Sequence, residues 1–97
     1  MKAIFISYGQ VHTERVLRIL DQNNARGYTK WERTQGRGSQ TGEPHYGTHA
    51  WPALNASILT VVADHLAGPI LEALREIDSE SPEQGLRAFV WNVEGGL

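Results

Sequence analysis

The strongest constraint in this sequence is the order in which its hydrophobic periodicities change. Ala3 to Tyr8 is a short apolar run rich in Ile and aromatic side chains, closed by Gly9, and it reads as a strand buried on both faces. The pattern then turns helical. Between Thr13 and Asn24 the apolar residues Val16, Leu17, Ile19 and Leu20 recur at helix spacing, with Glu14, Arg15, Arg18 and Asp21 on the other side. Thr13 is the expected N-cap, and Asn23 to Gly27 the expected end. Tyr28 to Gln35 alternates as an antiparallel strand with one wet face would, without deciding which side points inward. The run Ala56 to Ala63, with Ile58-Leu59-Thr60-Val61-Val62 at its heart, is β-branched and apolar enough to be a central strand. A second helix follows. It starts either at Asp64 or, since Pro69 would forfeit a hydrogen bond in the second turn, with Gly68 as cap and Pro69 at the first helical position. Ile70, Leu71, Leu74 and Ile77 form its buried stripe; Ser79 to Gly85 is a polar connection, and Leu86 to Val93 is the last strand.

The order βαββαβ is that of an α+β, ferredoxin-like split β-α-β fold: a four-stranded antiparallel sheet with two helices on one face and a long loop between strands 2 and 3. A chain of 97 residues supports one core, so residues 1–97 are expected to form a single domain. The second sheet face carries some of the Trp and Tyr residues and needs a cover, which copies of the same chain would provide.

Composition narrows the function. A formal net charge of -2, with nine Lys and Arg scattered along the chain, provides no field for holding nucleic acid. The absence of Cys removes disulfides and thiolate metal sites. The apolar start is too short for an export signal or a membrane span, so a cytoplasmic protein is expected, one still able to dock onto a membrane protein. No enzyme is expected: the Ser residues lack a nucleophile context, and Glu72 and Glu76 are a solvated i, i+4 pair on a polar helix face.

The segment Gly36-Arg37-Gly38-Ser39-Gln40-Thr41-Gly42-Glu43-Pro44 carries the most information. Its glycines either turn the backbone so that N-H groups receive an anion, with Gln40 offering a donor and an acceptor, or merely begin a flexible loop. Arg87, opening the last strand, has a guanidinium fork suited to phosphate. Of four histidines, His45 and His49 lie four apart in the loop and are candidate ligands for a divalent metal, against a reading as solvated or loop-stabilising residues. His12 and His65 sit beside helix starts. Trp51-Pro52 is an aromatic platform for a partner or an anchor for the loop, while Trp31 and Trp91 belong to core or interface.

Gly36, Gly38, Gln40 and Gly42 match the Gly-x-Gly-x-Gln-x-Gly pattern that ends the second strand of PII signalling proteins, and the chain resembles that superfamily in element order throughout. Gly42-Glu43-Pro44, Gly47-Thr48-His49 and Trp51-Pro52 look like a divergent PII-like branch associated with efflux systems. The resemblance implies a homotrimeric regulatory protein that senses a small effector, with an adenine nucleotide among the candidates. The effector would bind in an inter-subunit cleft at Gly36, Arg37, Gly38, Gln40 and Arg87. A loop carrying Glu43, Tyr46, His49 and Trp51 would then contact a partner such as a membrane transporter or efflux component. The family's Thr-Gly-x-x-Gly-Asp-Gly-Lys phosphate cradle is replaced by Ser-Glu-Ser-Pro-Glu-Gln-Gly at Ser79 to Gly85, so Arg87 stands in for the cradle Lys while Glu80 and Glu83 oppose phosphate. The alternative is a metal-responsive protein similar to the trimeric cation-tolerance proteins of the same fold, using His45 and His49.

Overall fold

The computed structural model describes residues 1–38, 40–48 and 53–97. In chain order these form β1 (Lys2–Gly9), a 3-10 turn at Gln10–His12, α1 (Thr13–Gln22), β2 (Tyr28–Thr34), β3 (Asn55–Val62), α2 (Asp64–Glu80), a 3-10 turn at Pro82–Gln84 and β4 (Arg87–Asn92). The strands make one antiparallel sheet in the order β2-β3-β1-β4, the ferredoxin-like arrangement expected from the sequence. β1 pairs with β3 from Lys2↔Val62 to Gly9↔Asn55 and with β4 from Lys2↔Asn92 to Ser7↔Arg87.

Alternation along these strands sorts the side chains. Ile4, Ile6 and Tyr8 of β1 and Ala56, Ile58 and Val62 of β3 turn to the helices and cluster with Val16 and Leu20 of α1 and Ile70, Leu74 and Ile77 of α2. The opposite parity puts Phe5, Leu59, Val61, Phe89, Trp91 and Trp31 on the bare face, where Phe89 is 60% and Trp91 49% exposed. β2 departs from the expected single wet face. It is an edge strand exposed along most of both sides, and its register with β3 slips between Trp31 and Thr34.

The helix ends also differ from expectation. Thr13 is the first residue of α1 rather than its cap; its hydroxyl donates to the Gln10 carbonyl at 2.8 Å, closing the 3-10 turn that leads in. At the other end Asn24 takes a left-handed conformation (φ 58°), so that Asn24 N donates to Asp21 O and Ala25 N to Leu20 O, a Schellman closure. α2 begins at Asp64, not Gly68, and carries Pro69 inside. Pro69 is exposed while its neighbours Ala67 and Ile70 are buried, so packing holds the turn whose ladder bond Pro69 cannot make. Among the described residues no helix is long and apolar enough to cross a membrane.

One polar atom in the core stands out. The Tyr8 hydroxyl is buried with no hydrogen-bond partner among the described residues, and burial pushes its phenol above the usual tyrosine value, an effect the nearby Thr13 hydroxyl offsets only in part. A raised folded value means the unfolded chain ionises first. The stability that Tyr8 contributes is therefore complete below about pH 10 and is lost as pH climbs past that point toward the folded value. Tyr8→Phe is expected to leave stability at pH 7 within about 1 kcal/mol of wild type or to raise it. The variant should also lack part of the alkaline fall in urea midpoint, as followed by circular dichroism across the pH range.

Candidate functional site

The loop after β2 is tied at its root by backbone bonds. Gly36 and His45 pair as an antiparallel bridge, with His45 N donating to Gly36 O at 2.6 Å and Gly36 N to His45 O at 3.2 Å. Tyr46 pairs likewise with Leu54, and Gln35 Nε2 donates to the Tyr46 carbonyl at 2.8 Å. The His45 side chain turns inward and is 6% exposed. Its Nδ1 lies 2.6 Å from Asn55 Oδ1. An amide oxygen only accepts, so Nδ1 carries the proton, and Asn55 Nδ2 in turn donates to Ser7 Oγ at 3.4 Å. His45 thus pins the loop to β3 and β1.

This bears on the metal expectation. His45 Nδ1 is committed as a donor, and no three His, Asp or Glu side chains gather among the described residues; His49 lies outside them.

A second tie lies just beyond the bridge, where the main chains of Gly38 and Gly85 touch. A Cβ on Gly38 would fall 2.5 Å from Gly85 Cα, and one on Gly85 would fall 3.0 Å from Gly38 Cα. Gly85 also has φ +66°, which follows from its place at the end of the Pro82–Gln84 turn. No side chain fits between these two segments, so the loop root and the entry to β4 are fastened together.

Two pockets, an inner and an outer lobe, share the two glycines of this contact. The inner lobe, about 280 Å³, lies on the bare side of the sheet and is lined by Ser7, Gly36, Arg37, Gly38, Asn55, Gly85, Arg87 and Phe89. The outer lobe, about 420 Å³, is lined by Gly38, Thr41, Gly42, Glu43, Pro82, Glu83 and Gly85. Arg87 Nη1 donates to its neighbour's carbonyl, Leu86 O, at 2.7 Å and stands 3.9 Å from Asp78 Oδ1 on α2. Arg37 has no ion-pair partner among the described residues. Two cationic side chains, a hydroxyl and an amide thus border a small glycine-walled space, a combination suited to an anion.

Of the residues singled out in the sequence, Gly36, Arg37, Gly38 and Arg87 come together here, and Glu43 lines the outer lobe. Gln40 is exposed and lines neither lobe; Tyr46 is exposed at the loop root; His49 and Trp51 lie outside the described residues. Ser7, Asn55 and Gly85 are the additions. Asn55 had a visible signal, a polar amide opening an apolar strand, whereas Ser7 and Gly85 are brought in only by strand pairing and the glycine contact.

The pattern of the family described as Nitrogen regulatory protein P-II matches residues 1–95. This chain belongs to the P-II family. It is thereby placed among signalling regulators, in agreement with the resemblance carried by Gly36 to Gly42. No curated protein matches the chain. Among solved structures it is similar to CPII, a nitrogen regulatory PII-like protein from Thiomonas intermedia K12, bound to ADP, AMP and bicarbonate. That likeness has 24% identity and a TM-score of 0.75, and it covers 93% of this chain and 82% of that one. The apo form of the same protein gives 21%, 0.70, 93% and 85%. A structure from Thermus thermophilus, described as that of a PII-like signalling protein, gives 26%, 0.67, 95% and 85%.

Because the Gly38–Gly85 contact is backbone against backbone, Gly38→Ala is expected to cost about 1–3 kcal/mol in chemical denaturation. His45→Ala leaves Asn55 without its buried partner and should cost a similar amount, about 1–3 kcal/mol. Gly27→Ala serves as the reference: a Cβ there meets nothing within 4 Å among the described residues.

Proposed function

We propose that residues 1–97 act as one PII-like unit that assembles into a homotrimer, and that the trimer is a non-catalytic regulator. A small anionic effector would bind in clefts between subunits, and the loop bearing Glu43, Tyr46, His49 and Trp51 would report its presence to a partner protein. The observation that carries this reading is the convergence of Gly36, Arg37 and Gly38 with Arg87 on a single groove across the Gly38–Gly85 contact. Adenine nucleotides and bicarbonate are the leading effector classes, supported by the ADP, AMP and bicarbonate held by the similar Thiomonas structure. Assembly is supported by the aromatic bare face: Phe89, Trp91 and Trp31 are each close to half exposed or more in the single chain, and burying such surface is favourable at about 25 cal/mol per Å². The partner is a membrane transporter or efflux component engaged from the cytoplasm; the divergent loop motifs of the sequence support that choice.

Light scattering on the eluting protein should give three times the chain mass, and the tryptophan emission should be blue-shifted relative to free indole. A monomer with wet tryptophans would remove the trimer. Calorimetric titration with AMP, ADP and bicarbonate should show binding of at least one, weakened about tenfold or more by Arg87→Ala, since hydrogen bonds to charged groups contribute about 1.5–3 kcal/mol. Silence from all three with a folded trimer would remove the effector reading.

A further inference from the structure

Three polar side chains run in line from the loop root to the inner lobe. His45 Nδ1 lies 2.6 Å from Asn55 Oδ1, and Asn55 Nδ2 lies 3.4 Å from Ser7 Oγ. His45 and Asn55 are only 6% and 3% exposed, so neither can trade these bonds for bulk water. Gly36, bridged to His45, leaves the space the arrangement needs: a Cβ on it would fall 2.9 Å from Asn55 Nδ2. Ser7 and Asn55 both line the inner lobe, and Ser7 stands opposite Arg87 in the β1–β4 register.

We infer that His45 is a positioning residue of the inner lobe which, acting through the Asn55 amide, holds the Ser7 hydroxyl as a hydrogen-bond donor toward an anion. The inference rests on the effector reading above and deepens it. An amide has one accepting end and one donating end, and they cannot be exchanged without exchanging their partners' roles. With the proton on His45 Nδ1, the Asn55 oxygen faces the ring and the Asn55 amide nitrogen faces Ser7. The Ser7 oxygen then accepts, and its proton is left for a ligand in the lobe; Asn55 is the one hydrogen-bond partner of this hydroxyl among the described residues. A proton on Nε2 alone reverses the order. The amide turns over, its oxygen takes the Ser7 proton, and the hydroxyl offers the lobe only lone pairs, which repel an anion. The side chain that fastens the loop root therefore also sets the polarity of Ser7. The coupling is reciprocal. A hydroxyl that donates to an anion has a more negative oxygen, which accepts more strongly from Asn55 and so strengthens the chain back to His45.

Heteronuclear NMR of the His45 ring nitrogens in the ligand-free protein tests the first link. Nδ1 is expected to carry the proton, and a ring protonated on Nε2 alone would overturn the inference whatever the protein binds. Calorimetric titration with bicarbonate and with AMP tests the second. Ser7→Ala should weaken at least one of them about tenfold, as for a hydrogen bond to a charged group. His45→Ala should weaken the same ligand about threefold or more, and His45→Asn, whose amide can donate from the position of Nδ1, should bring it back to within about twofold of wild type. Adding His45→Ala to Ser7→Ala should cost nothing further, because the ring acts only through that hydroxyl. Two losses that multiply, as a merely structural role for His45 requires, or an undiminished affinity in Ser7→Ala, would sink the inference while leaving effector binding in place. The ring spectrum and Ser7→Ala leave His45 untouched, so both still decide the matter where His45→Ala does not fold. Should neither probe bind wild type, the effector reading and the inference fall together.

Discussion

The position of β1 between β3 and β4 governs the rest of the molecule. Ile4, Ile6 and Tyr8 are fully buried because both of β1's edges are paired and one of its faces lies under the helices. The same pairing builds the site at the other end of the logic. Ser7 stands opposite Arg87 on one side and Ser57 on the other, and Gly9 stands opposite Asn55, so the last residues of β1 collect the first residues of β3 and β4 around one spot. The loop root needs only to reach that spot. Gly36 and Gly38 let it do so, the first beside Asn55 and the second against Gly85.

The order of elements was legible because each strand or helix has its own period: Ile58 to Val62 is unmistakable as a central strand, and Val16 to Leu20 as a helix face. What misread was decided by distant contacts. Pro69 argues locally for a late helix start, yet Ala67 and Ile70 are buried on either side of it and the helix continues through. β2 alternates as though one side were covered, but its place at the sheet edge leaves it wet.

The site was half legible for the same reason. Gly36, Gly38 and Arg87 announce themselves by residue type, and they do meet. Gln40 matches a family pattern but lines neither lobe, and His45, which looks like a ligand by type, is a buried strut whose Nδ1–H donates to Asn55 Oδ1. Nothing in the linear sequence couples residue 38 to residue 85. Their proximity follows from the strand order together with the Gly36–His45 bridge that turns the loop root toward β4.

That proximity has a mechanical consequence. Where two main chains bear directly on each other, neither can move toward the other without pushing it, so the loop root and the β4 approach set one another's position. The point of touch has no room to thicken. The fit there is made by atoms that every residue possesses, and it depends on side chains that are missing rather than on any that are present.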